Sequence, residues 1–155
     1  MDRKELYRIA IDQEVRSQNL YEVLAKSFRN SQTSSFFREL LLLEKTHEEK
    51  LRSACAREFP GLKIQVEGRL KQDLKSLDLS GPKDLLNFAI SREETARDHY
   101  KDFAAQTQDP ALKEMLLTLA DEEEGHKTLL LTEIQRMQGA LTWFDPSELN
   151  GLMEH

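Results

Sequence analysis

Along this chain, apolar and small side chains recur in alternating steps of three and four residues, the spacing of one face of an α-helix. The first such row is Tyr7, Ala10, Glu14, Ser17, Tyr21, Leu24 and Phe28, in a helix predicted from about Arg3 to Arg29. Asn30 to Ser34 are small, polar and good at capping, which predicts a short turn. A second helix is predicted from about Ser35 to Glu58, with Phe37, Leu40, Glu44, His47, Leu51 and Ala54 in its row and Pro60-Gly61 as its stop. Gly81-Pro82 opens a third helix, with Pro82 in the first turn and Leu86, Ala89, Glu93, Ala96, Tyr100 and Phe103 in the row. Asp109-Pro110 supplies an N-cap and a first-turn proline for a fourth helix, which carries Leu116, Leu119, Glu123, His126 and Leu130 and closes at Gly139.

The connections select a topology. Short turns join the first helix to the second and the third to the fourth, so each pair is an antiparallel hairpin. Between the hairpins lie roughly twenty residues, about 60 to 81. A helix of 25 residues is ~37 Å long, and an extended chain covers ~3.3 Å per residue, so this segment can run back along the whole bundle. The pattern of Ile64 to Leu77 is only weakly helical. Residues 1–139 therefore read as one all-α, antiparallel four-helix bundle with a long crossover between helices 2 and 3. Residues 140–155 read as a tail, in which Asp145-Pro146-Ser147-Glu148 has the form of a short capped helix that docks on the bundle.

Four of the row positions are glutamates, and they are not scattered. A shift of 79 maps Glu14 onto Glu93, Tyr21 onto Tyr100, Glu44 onto Glu123 and His47 onto His126. Each half thus supplies a Glu, a Tyr seven residues on, and a Glu-x-x-His a further 23 residues on. Four unpaired carboxylates in a bundle core would be forced to take up protons by burial and mutual repulsion. Two divalent cations offset the four negative charges and give the lone pairs partners. One Glu from each of two helices and one Glu-x-x-His from each of the other two is the inventory a dimetal bundle needs. Glu14, Glu44, His47, Glu93, Glu123 and His126 are accordingly the expected metal ligands and reactive centre. The row register selects Glu123 over Glu122 and Glu124, and Glu93 over Glu94. Tyr21 and Tyr100 sit two turns from a ligand on the same face. They read either as core aromatics or as hydroxyls that donate to a ligand carboxylate of the opposite hairpin. Ala10, Ser17, Ala89 and Ala96 leave room beside the ligands. His99, His155 and Cys55 have no role in this pattern, and Cys55 reads as a packing residue.

With these residues in place, the chain resembles the rubrerythrin-like branch of the ferritin-like di-iron proteins over about residues 3 to 138. The two Ala-Ile-x-x-Glu-x6-Tyr segments (Ala10 to Tyr21, Ala89 to Tyr100) and the pairs Glu44/His47 and Glu123/His126 carry the resemblance. It implies a ferritin-like fold and two irons held by the six residues. It further implies oxidoreductase chemistry with peroxide or O2, in the setting of oxidative stress and with electrons from an external donor protein. A homodimer is the expected assembly. Manganese, or a mixed pair, is compatible with the same oxygen-rich donor set. Ferroxidase or iron-handling activity and a non-redox, metal-stabilised bundle are the alternatives. Rubrerythrins proper carry a four-cysteine rubredoxin domain and an extra glutamate one turn after the third-helix ligand. Here there is one cysteine, Cys55, and the extra position is Ala96.

Composition narrows the remaining classes. Hydrophobic residues make up 39% and charged ones 32%, as in a folded helical domain rather than a disordered segment. The net charge of −6 argues against a nucleic-acid partner. No apolar run approaches the ~18 residues needed to span a bilayer. Met1 to Glu5 contains no apolar stretch of a signal peptide, so a cytoplasmic location is expected.

Overall fold

The structure, a computed structural model, describes residues 1–68 and 82–141. Four helices account for most of them: α1 (Arg3–Ser27), α2 (Ser31–Glu58), α3 (Pro82–Gln106) and α4 (Pro110–Leu141). None is long and apolar enough to cross a membrane.

The caps explain where the helices begin. The Asp2 side chain accepts the amide of Glu5, Asn30 accepts that of Thr33, and Asp109 accepts that of Ala111 at 3.0 Å. Each removes one of the unpaired amides of a first turn. The Asn30 cap also corrects the expected boundary. With its side chain on Thr33 N, helix α2 starts at Ser31 rather than Ser35, and α1 ends at Ser27 rather than Arg29. Helix α4 passes through Gly139 to Leu141. A glycine costs about 1 kcal/mol in a helix interior but does not stop one.

The helices alternate in direction all round the bundle. Helix α1 packs on α2 and α3, and α4 packs on α3 and α2. Tyr100 bonds to Glu14 while Tyr21 bonds to Glu93, so α1 and α3 run antiparallel. Glu44 meets His126 while Thr33 meets Arg136, so α2 and α4 do too. Helix α2 therefore ends at the opposite end of the bundle from the start of α3, and the connection must travel the bundle's length. Its described part does so in non-helical form. Arg52 Nη1 donates to Ile64 O at 2.9 Å, and Asn19 Nδ2 donates to Gly68 O at 3.0 Å. Gly68 adopts φ +60°, and a Cβ there would lie 2.6 Å from Asn19 Nδ2 and 2.7 Å from Val15 Cγ1. Only glycine fits this close approach. The rest of the crossover, including most of the weakly helical Ile64–Leu77 segment, and the proposed tail helix lie outside the described residues.

Every position of the four predicted rows is buried. The apolar ones form two clusters. One contains Leu6, Tyr7, Ile11, Leu51, Tyr100, Phe103, Leu116 and Leu119, and the other Leu20, Tyr21, Leu24, Phe28, Phe37, Leu40, Leu86 and Leu130. Between them lies a belt of charge-bearing side chains.

Candidate metal centre

All six expected donors lie in that belt, each no more than 5% exposed. Their central positions in antiparallel helices bring them to one height. They form two groups whose donor atoms all lie within 4.8 Å of one another: Glu14, Glu44, His47 and Glu123, and Glu44, Glu93, Glu123 and His126. Glu44 and Glu123 belong to both, as bridging carboxylates between two ions would. The pseudo-twofold relation of the sequence is thus also a relation in space.

Several buried atoms here lack hydrogen-bond partners: one oxygen each of Glu14, Glu44 and Glu93, both oxygens of Glu123, and His47 Nδ1. Orphaned lone pairs are rare in protein interiors and costly when they occur. These point into common groups of hard oxygen and imidazole donors, which suits divalent transition metals. The residues present therefore fit a metal pair.

The protein atoms alone leave this charge poorly compensated. Burial, then the neighbouring carboxylates led by Glu14, pushes the carboxyls of Glu44 and Glu123 well above the usual range. Burial acts the same way on Glu93, but the adjacent Glu123 carboxyl, His126 and the Tyr21 hydroxyl outweigh it and hold that carboxyl low. Burial disfavours the charged form of His47, yet the carboxylates of Glu14 and Glu122 leave it raised overall. Tyr21 donates to Glu93 Oε1 and Tyr100 donates to Glu14 Oε1, each from the opposite hairpin. Of the two sequence readings, these contacts favour the hydroxyl donor over the inert core aromatic. Burial and then the adjacent carboxylate raise both phenols well above their ordinary range, so they stay protonated donors.

Ala10, Ser17, Ala89 and Ala96, which flank Glu14 and Glu93 in their rows, are buried. On the α2/α4 side a groove of about 580 Å³, lined by residues including Leu43, Lys50, Glu122 and Leu129, reaches both imidazoles. The rings of His47 and His126 stack there, with centroids 5.3 Å apart and planes 13° from parallel.

One participant was missed. Glu122, which the row register passes over in favour of Glu123, does not join the inner group; its Oε2 instead meets His47 Nε2 at 2.5 Å. The repeat could not reveal it, because the matching position is Leu43. His99 bonds with the buried Gln13 and packs near Phe103, and neither donor group includes it. Cys55 is buried in an apolar cluster, as a packing residue would be. His155 lies outside the described residues.

Comparison with known proteins agrees with this architecture. The fold is similar to that of a hypothetical protein from Pyrococcus furiosus, with a TM-score of 0.73 and 24% identity over 94% of each chain. At that identity the likeness bears on the fold alone. None of the curated proteins compared matches the chain. The rubrerythrin family model matches residues 5–77 and 84–151, which takes in both hairpins and all six donors. The bundle is ferritin-like, and the chain belongs to the rubrerythrin family.

Proposed function

We propose that this protein is a non-haem di-iron oxidoreductase that reacts with peroxide or O2. The observation that carries the reading is the pair of buried donor groups with two carboxylates in common. Glu14 and His47 would hold one ion, Glu93 and His126 the other, and Glu44 and Glu123 would bridge. When bound, two ferrous ions supply two electrons, enough with two protons to cleave one peroxide to two waters. The side chains do the rest. Four carboxylates favour the ferric state. Tyr21 and Tyr100 fix the orientation of Glu93 and Glu14. Ala96 stands where a further carboxylate would otherwise fill a metal position, and an open position separates a reactive metal site from a closed one. Cys55 is the single cysteine of these 155 residues, so they cannot build a four-cysteine iron centre and the electrons must reach the site from outside them.

Iron handling is the second reading. The groove between α2 and α4 supports it, because Glu122, a carboxylate 38% exposed, stands between the surface and His47.

Stopped-flow mixing of the anaerobic Fe(II)-loaded protein with one equivalent of H2O2 tests the proposal. Rapid ferric absorption, with turnover only when a reductant is added, is the expected result. Oxidation followed by uptake of many irons per chain would favour iron handling. No ferric absorption within minutes would make the metal structural, or a metal other than iron. If oxidation occurs, Ala96→Glu should change the turnover rate and leave the two-iron stoichiometry unchanged.

A further inference from the structure

We propose that Glu122 is a positioning residue for His47, and that it makes the two metal positions unequal. The inference rests on the di-iron reading of the six donors. His47 Nε2 and Glu122 Oε2 are 2.5 Å apart, and Lys50 Nζ lies 3.9 Å from the other Glu122 oxygen. A hydrogen bond of this kind takes the ring proton onto Nε2 and leaves the Nδ1 lone pair free. That nitrogen faces the inner group, 2.7 Å from Glu123 Oε1 and 3.6 Å from Glu14 Oε2. His47 is therefore held in the tautomer and orientation that ligation requires. An outer carboxylate also raises the basicity of the imidazole it holds.

Within the belt His126 mirrors His47, its Nδ1 lying 2.6 Å from Glu44 Oε1 and 3.6 Å from Glu93 Oε2; the two rings differ on the outside. The residue that matches Glu122 on this side is Leu43, which has no acceptor to offer. The rings are stacked in one groove, so they share solvent access and differ in the outer partner. The position held by Glu14 and His47 should bind more tightly and fill first.

Titration of the metal-free protein with Co(II), followed by calorimetry and visible absorption, reads the two steps separately. In the wild type the steps should be distinguishable. Glu122→Leu, which copies the other half, should weaken the first step about 10- to 100-fold and leave the second within about twofold. Glu122→Gln, which keeps an acceptor, should fall in between. In the Co(II) protein, one shifted imidazole N–H resonance should be protected from exchange, and Glu122→Leu should move that resonance and not the other. Leu43 is 43% exposed, so Leu43→Glu can add the missing acceptor; it should tighten the second step. Equal effects on both steps, or none, in Glu122→Leu with circular dichroism unchanged would overturn the positioning role. Uptake of fewer than two ions by the wild type would overturn the di-iron reading, and the proposal with it.

Discussion

Stripping the metal and raising the pH sets the belt carboxylates against each other, and the effect on stability follows from two of them. Burial, and then neighbouring charge, raises Glu44 and Glu123 well above their ordinary value of 4.5. Between 4.5 and the raised value, the folded protein holds protons that the unfolded chain has released. The unfolded state then binds fewer protons, so the unfolding free energy falls as pH rises. Each such group contributes about 1.4 kcal/mol per pH unit, and the two together about 2.7. His47, also raised, acts in the same direction above its ordinary 6.5. Glu93, held low, opposes them only below 4.5. Domains are typically stable by about 5–15 kcal/mol, so a loss of this size per pH unit is readily measured. Glu44→Gln nearly preserves shape and removes one of the two titrations. Below pH 6.5, where His47 does not yet contribute, the slope should roughly halve, to about 1.4 kcal/mol per pH unit, and the apo variant should be more stable than wild type at neutral pH. Urea unfolding of chelator-treated protein by circular dichroism, from mildly acidic to mildly basic pH, measures this. A flat wild-type profile, or equal slopes for the two proteins, would refute the argument. With metal present the trend should reverse, because the ligands must lose protons to bind it.

Two further outcomes are expected. Glu44→Ala/Glu123→Ala should abolish stoichiometric binding, since both groups lose their shared carboxylates; two ions retained after gel filtration, counted by metal analysis, would refute the ligand assignment. Gly68→Ala should lower stability by about 1–2 kcal/mol from the left-handed backbone alone, with more from the overlap with Val15 and Asn19; an unchanged unfolding midpoint would show that the crossover does not hold this conformation.

Much of this was legible because the bundle obeys one period. The three-four spacing selected the buried face of each helix, and every residue of those rows is buried. The placement of Glu14, Glu44, Glu93 and Glu123 within the rows, together with the doubling, brought the donors together on paper as they are in space. Helix ends were less legible, because a cap is a contact rather than a composition. Asn30 looked like part of a turn and proved to be its end. The Tyr21 and Tyr100 hydroxyls were ambiguous because a helical period places a ring in the core but does not say what its oxygen meets. Glu122 was invisible for a related reason: its role depends on where α4 faces α2, and the internal repeat puts a leucine in its place.

The division of the core has a consequence for how the protein breathes. Leu51, Phe103 and Leu116 lie on one side of the belt, and Leu24, Phe37 and Leu130 on the other. Without metal, the layer joining them is crowded with carboxylates and contributes little apolar contact. Each end can then open while the other stays closed, as separate units of local unfolding. Metal held by the six donors would draw on all four helices and join the two halves into one. Amide exchange in the apo protein should accordingly show two protection plateaus that merge on metal loading, so that the metal sets the size of the cooperative unit as well as the chemistry.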